Sequence, residues 1–215
     1  MNMRILKHTN DDLNSRIKNN AVDLFNRYGI KSVSIEDITN TLHISKKTFY
    51  NSFLNKEELV MVLANDTIRE LKSRIVKVKH QHQGLEEFLW IQYELFTWLS
   101  KLTGSMVHDL KKYYPNVSNQ YMKLRTETLL TLTGLLKNAK LENFVLKSVD
   151  VRLFCEVQMD NMEDFFRGRW ASVEKAQASD LFEQLIVNSL RGILTNSYGA
   201  LFSLESFWAD LDAVA

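Results

Sequence analysis

The sequence is short of the residues that punctuate strands and tight turns. It has one proline, Pro115, and only 7 glycines in 215 residues, which argues against a strand-rich fold and for a nearly all-helical one. A single cysteine, Cys155, excludes an internal disulfide and suits a reducing compartment. No apolar run approaches the ~18 residues needed to cross a bilayer. The first residues, M-N-M-R-I-L-K-H-T-N-D-D, turn polar at once and show no signal peptide. A cytoplasmic protein without membrane contact is expected. Catalytic signatures are missing too. The five histidines include His80 and His82, whose spacing of two does not share a helical face. No H-x-x-x-H, C-x-x-C or glycine-rich phosphate loop occurs, so neither an enzyme nor a cofactor is expected. Asp160, Glu163 and Asp164 read as a solvated acidic face.

Charge is present but unevenly placed. The net charge is only +1. Residues 1–80 hold 14 Lys/Arg against 9 Asp/Glu, and residues 81–215 hold 13 against 17. A basic front half suits a polyanionic partner.

Helical spacing organises the chain. Leu13, Ile17, Ala21, Leu24, Phe25 and Tyr28 make an apolar stripe over residues 10–28, with Thr9 or Asn10 as cap, and Gly29 follows as a terminator. Ser34 caps a second, shorter helix, with Asp37 completing a capping box. His43 takes the positive-φ position of a tight connection, and Ser45 caps a third helix. Asn55 caps a fourth that runs to about residue 80, a rod of roughly 35 Å at 1.5 Å per residue. After the break K-H-Q-H-Q-G, helices resume. Residues 85–102 are apolar on nearly all sides, as in an enclosed helix, and Gly104 ends them. A short helix reaches Tyr114, Pro115 starts a turn, and long helices follow over about 117–137, 149–170 and 179–198. The tail 201–214 is expected to add a short one.

The third helix, S-K-K-T-F-Y-N-S-F at 45–53, carries the most chemistry. Phe49 and Phe53 are four apart and share a buried face. Lys46, Lys47, Thr48, Tyr50 and Asn51 then face outward, a set suited to a phosphate backbone and to base edges. A short helix, a tight turn and this helix form a helix-turn-helix, whose second helix must enter a major groove about 12 Å wide.

The stretches A-V-D-L-F-N-R-Y-G (21–29), S-V-S-I-E-D-I (32–38) and I-S-K-K-T-F-Y-N-S-F-L-N-K-E-E-L (44–59) closely resemble the DNA-binding domain of TetR-like (tetracycline-repressor-like) transcriptional regulators. The resemblance implies an all-α fold. An N-terminal three-helix DNA-binding domain, 1–56, joins through a long helix to a C-terminal helical ligand-binding and dimerisation domain, 57–215. It implies that Ser34 and Ser45 bring helix ends to the DNA. Lys46, Thr48 and Tyr50 would contact backbone or bases, Lys47 and Asn51 would choose sequence, and Lys56 would pair with a phosphate. Three positions depart from the family pattern: His43 replaces the usual Gly, Phe49 a frequent Leu, and Lys47 a frequent small residue.

The partners so implied are a near-palindromic double-stranded operator, a second copy of the chain and a small-molecule effector. Phe88, Phe96, Met106, Tyr121, Met159, Met162 and Phe166 could wall an effector pocket, with Arg125 and Thr128 as polar anchors; ordinary core packing describes the same residues. Trp90, Trp98, Tyr113 and Trp170 enlarge the aromatic supply. Phe154, Phe165, Leu181, Leu185, Leu190, Ile193 and Leu194 could form a four-helix dimer interface. The competing readings are a helical module that docks a protein, and an activator without an effector.

Overall fold

A computed structural model describes residues 2–166 and 178–195. The element order is α1 (Asn2–Tyr28), α2 (Ile35–Leu42), α3 (Lys46–Tyr50), α4 (Lys56–Gln81), α5 (Gly84–Leu99), α6 (Gly104–Tyr113), α7 (Pro115–Leu141), α8 (Val151–Asp164), α9 (Ala178–Phe182), a π-helical segment (Glu183–Val187) and α10 (Asn188–Arg191). No strand occurs among the described residues; an isolated bridge joins Val145 to Leu194. The expected tail helix 201–214, Trp170 and the far end of the 179–198 helix lie outside the described residues.

The chain divides into two compact units. The first comprises Met1–Glu70 and Lys101–Lys123, the second Leu71–Ser100 and Leu124–Ala215. The core of the first is built around Ile17, Ala21 and Phe25 of α1, one turn apart, with Ile30, Val33, Ile38, Phe49, Phe53, Leu59, Val60, Met106 and Val117. Apolar burial of this kind contributes roughly 1.5–3 kcal/mol per large side chain. A salt bridge of 2.8 Å from Lys18 to Asp66 ties α1 to α4. In the second unit α5 is the enclosed helix its composition foretold, with Leu85, Phe88, Leu89, Trp90, Ile91, Gln92, Leu95, Phe96 and Leu99 all buried. Leu124, Leu132 and Leu136 of α7, Cys155, Met159 and Met162 of α8, and Phe182, Ile186 and Leu190 are among that unit's other buried residues.

Local chemistry explains most boundaries. Ser34 caps α2 in a full capping box with Asp37. The Ser45 hydroxyl accepts from the Thr48 amide, and the Asn55 side-chain Oδ1 accepts from Glu58 N–H at 2.8 Å. Three boundaries differ from expectation. Helix α1 starts at Asn2 and not near Asn10, since residues 2–9 contain no proline or glycine to stop it. Gly104 opens α6 behind a Thr103 cap whose side chain accepts from Met106 N–H; a glycine near a helix end does not reveal by itself which helix it belongs to. Pro115 is the first residue of α7, where its missing N–H is lost at no expense and its fixed φ is already helical.

Candidate nucleic-acid interface

The presentation of α3 depends on the turn before it. His43 has φ 54° and ψ 41°, the left-handed region that L-residues other than Asn, Asp and His rarely visit. Its N–H donates to the Asn40 carbonyl at 3.2 Å, and Ile44 N–H donates to that of Thr39 at 3.0 Å. These Schellman-type bonds satisfy the last carbonyls of α2 and reverse the chain into α3 without a glycine. Phe49 is fully buried and Phe53 is 5% exposed; their rings lie 5.8 Å apart. With both anchored, the rest of α3 turns outward. Lys46, Lys47, Tyr50 and Asn51 are exposed, and Thr48 is half-buried. Tyr50 stands edge-on to Phe49 at 5.7 Å, so a core ring fixes the base of an exposed one.

Two of these outward groups have partners in the free protein. Lys46 Nζ donates to Glu36 Oε2 of α2 at 2.8 Å, and this bond holds its pKa above the ordinary lysine value. The Thr48 hydroxyl shares a hydrogen bond of 2.8 Å with Ser45 Oγ. Ser34 is exposed, but its N–H and its hydroxyl both donate to Asp37 Oδ2, each at 2.7 Å. Those bonds push the Asp37 carboxyl below its ordinary range.

Lys56 sits differently from the α3 lysines. It is half-buried, with Nζ 3.3 Å from the Lys31 carbonyl oxygen, to which it donates, and 6.0 Å from the centre of the Phe25 ring. Burial lowers its pKa, and the carboxylates of Asp109 and Asp37 oppose that shift.

Tertiary structure adds contacts that the sequence did not mark. Lys31, in the α1–α2 connection, donates its backbone N–H to Asp109 Oδ2 of α6 at 2.8 Å and its ammonium to Tyr113 Oη at 2.9 Å. The same ammonium lies 4.7 Å from the centre of the Tyr113 ring, and that of Lys112 lies at 5.4 Å. The hydrogen bond with Tyr113 raises the Lys31 pKa, and the Tyr113 phenol is lowered in return. Gly29, at φ 79°, makes the approach of α6 possible: a Cβ there would stand 3.1 Å from Asp109 Oδ2. These contacts span 78 and 82 positions of sequence, so no local pattern could announce them.

The residues expected to wall an effector pocket are divided between the two units. Met106 is in the core of the first unit, and Tyr121 also belongs to that unit. Phe88, Phe96, Met159 and Met162 are buried in the second unit, where Phe96 meets the half-buried Phe166 at 5.1 Å. Thr128 lines a cavity of about 200 Å³ between Lys72, Ile75, Val76 and Lys79 of α4, Ile91 of α5, and Leu124, Glu127 and Thr131 of α7. Arg125 is engaged by the protein itself, through Asp160 and, at 2.8 Å, Glu163. Glu163 is 6% exposed, so it does not belong to the solvated acidic face expected of its helix. Its partner lies 38 positions away and spares the carboxylate an unpaired burial.

Of the expected dimer residues, Leu190 and Leu194 are buried within the second unit, whereas Phe154, Phe165, Leu181, Leu185 and Ile193 are half-buried. Leu153 and Val157, one turn apart on α8, are 57% and 46% exposed.

Residues 17–62 match the family model described as bacterial regulatory proteins, tetR family. No curated protein matches the sequence. Among solved structures, the ketosteroid transcriptional regulator KstR2 of Mycobacterium tuberculosis is similar at 17% identity and a TM-score of 0.68, over 85% of this chain and 95% of that one. The TetR family regulator PfmR from Thermus thermophilus is similar at 20% identity and a TM-score of 0.67, over 82% and 97%. The fatty acid degradation regulator FadR from Bacillus halodurans is similar at 17% identity and a TM-score of 0.63, over 83% and 95%. At such identities the likeness establishes a shared fold.

Proposed function

Since residues 17–62 match the model of bacterial regulatory proteins, tetR family, and the chain shares the fold of such regulators, we propose that it is a TetR-like homodimeric repressor released from a near-palindromic operator by a small molecule. In this reading residues 1–56 read DNA, and residues 57–215 bind the effector and pair the subunits. The observation that carries it is the division of α3 into a buried face, Phe49 and Phe53, and an exposed face of Lys46, Lys47, Tyr50 and Asn51. Charge at the centre of that face argues against protein docking, because cores of protein interfaces are depleted in charged residues.

Two copies would set their α3 helices in successive major grooves, about 34–36 Å apart. Lys46 exchanges Glu36 for a phosphate, Lys47 and Asn51 meet base edges, and Tyr50 packs against the backbone. Lys56 lends its partly desolvated charge to a phosphate near the start of α4. On α8 the exposed pair Leu153 and Val157, beside half-buried Phe154, supports a dimer contact. An effector releases the operator only if it binds the DNA-incompetent arrangement more tightly.

The test begins with selection of bound sequences from random duplexes. Affinity for the selected site is then measured at fixed salt for the wild type, Tyr50→Ala and Lys46→Ala. Both variants should bind at least about tenfold more weakly, a loss of about 1.4 kcal/mol. Unchanged affinity in both would remove α3 as the reading element.

A further inference from the structure

The second unit buries an amide that nothing satisfies. Gln92, in the middle of α5, is 0% exposed, and neither its Nε2 nor its Oε1 has a hydrogen-bond partner. A glutamine amide carries two N–H donors and a carbonyl acceptor, and burying such a group unpaired is strongly unfavourable. Methionine would fill nearly the same volume without that penalty, so packing alone does not account for glutamine here. The same unit holds a second case: Gln158 of α8 is 4% exposed and its Oε1 is unpaired.

The surroundings of Gln92 are irregular. Phe96 lies four residues on, on the same helical face. Its ring meets Phe166 at 5.1 Å and Phe182 at 5.6 Å. Phe166 is in a π-helical turn that follows α8, and Phe182 directly precedes the π-helical segment Glu183–Val187. Such widened turns are rare and concentrate at functional sites. Phe96, one helical turn from the orphaned amide, thus joins the rings at two π turns. Among the described residues this aromatic wall offers no free charge to a guest: Glu163 is the one buried carboxylate of this unit, and Arg125 holds it at 2.8 Å.

We propose that Gln92 is the polar anchor of the effector site, and that the effector class is a neutral, ring-bearing, largely apolar molecule presenting an N–H and a C=O side by side, as carboxamides and lactams do. The Gln92 carbonyl accepts from the guest's N–H while its NH₂ donates to the guest's carbonyl. One guest group then satisfies both ends of the orphan, and the aromatic wall takes the rings. This inference rests on the effector-binding reading above and gives that effector a chemical class. Selectivity follows from the same physics: a site built around buried hydrogen-bonding groups rejects an analogue that lacks them far more strongly than an apolar pocket rejects a change of size.

The experiment uses the full chain, titrated by calorimetry with aryl carboxamides from benzamide to 2-naphthamide and with 2-ethylnaphthalene as the apolar control. The wild type should bind the best carboxamide at least about tenfold more tightly than the hydrocarbon. Gln92→Met should reverse that preference and, relieved of its orphan, melt at a higher temperature without ligand. Gln92→Leu serves if the methionine variant fails to fold, and binding of the selected operator shows that either variant is intact. Equal preference in wild type and variant, or no carboxamide bound by the wild type, would overturn the anchor. Gln92-dependent binding that leaves the operator complex undisturbed would uphold the anchor and overturn the effector reading instead.

Discussion

Lys46 and Glu36 are both largely exposed, with side chains 55% and 62% accessible, and exposed ion pairs are weak. In the proposed complex the pair would therefore yield readily to a phosphate, leaving Glu36 as a like-charged neighbour of the incoming DNA. Glu36→Gln is expected to tighten operator binding severalfold at low salt, with the gain shrinking as salt screens the repulsion; titrations at two ionic strengths check this. Asp37 has the opposite dependence on its partner. Its carboxyl is depressed by the bonds from Ser34, against an ordinary value of 3.8. The stability it contributes is present above that ordinary value and is lost as pH falls through the lower, folded value. The thermal midpoint of the wild type should therefore fall more steeply than that of Asp37→Asn once the pH drops below about 4. Cys155 is fully buried, and burial pushes its thiol up to about 11. The thiolate is the nucleophile, so iodoacetamide at about pH 8, below the ordinary thiol value of roughly 8.5, should leave Cys155 unmodified until the chain is denatured, as mass spectrometry would report.

Helix boundaries were legible where their signals are local. Ser34 with Asp37, Ser45 with Thr48 and Asn55 with Glu58 each act across three residues, and His43 takes its positive φ because the turn between α2 and α3 leaves it no alternative. The outward face of α3 was legible for the same reason, since two buried phenylalanines one turn apart fix which way the lysines point. What local spacing could not supply is the company each side chain keeps. The Lys46–Glu36 pair, the Asp109 acceptor for Lys31 and the Arg125–Glu163 pair all join separate elements, and Gln92 shows its burial only once α5 is enclosed. The α2–α3 connection gives a direct test of the element. A left-handed L-residue is strained by roughly 1–2 kcal/mol, part of which glycine returns as chain entropy in the unfolded state. His43→Gly is expected to stabilise the protein by up to about 1 kcal/mol in urea titrations. Ser45→Ala, which leaves the Thr48 amide without its acceptor, should destabilise by about 1 kcal/mol.

At the scale of the whole molecule, charge and subunit number can be read from one measurement. Residues 1–80 carry five more Lys/Arg than Asp/Glu, and residues 81–215 carry four fewer, so the positive excess is concentrated at the front of the chain. Binding to duplex DNA releases counterions, and the logarithm of the association constant falls with the logarithm of salt by about 0.9 for each phosphate neutralised. If Lys46 neutralises one phosphate per subunit, Lys46→Ala removes one contact from a single bound chain but two from a symmetric pair. The salt slope should then change by about 1.8 for a dimer on a near-palindromic site and by about 0.9 for one chain. Inserting about 5 base pairs between the half-sites turns the second groove to the opposite side of the helix. In that duplex the change should fall back to the single-chain value. A slope change near 0.9 on the intact operator, about one phosphate's worth, would instead mean that one copy binds, and the paired reading of the operator would have to be abandoned even if α3 reads DNA as described.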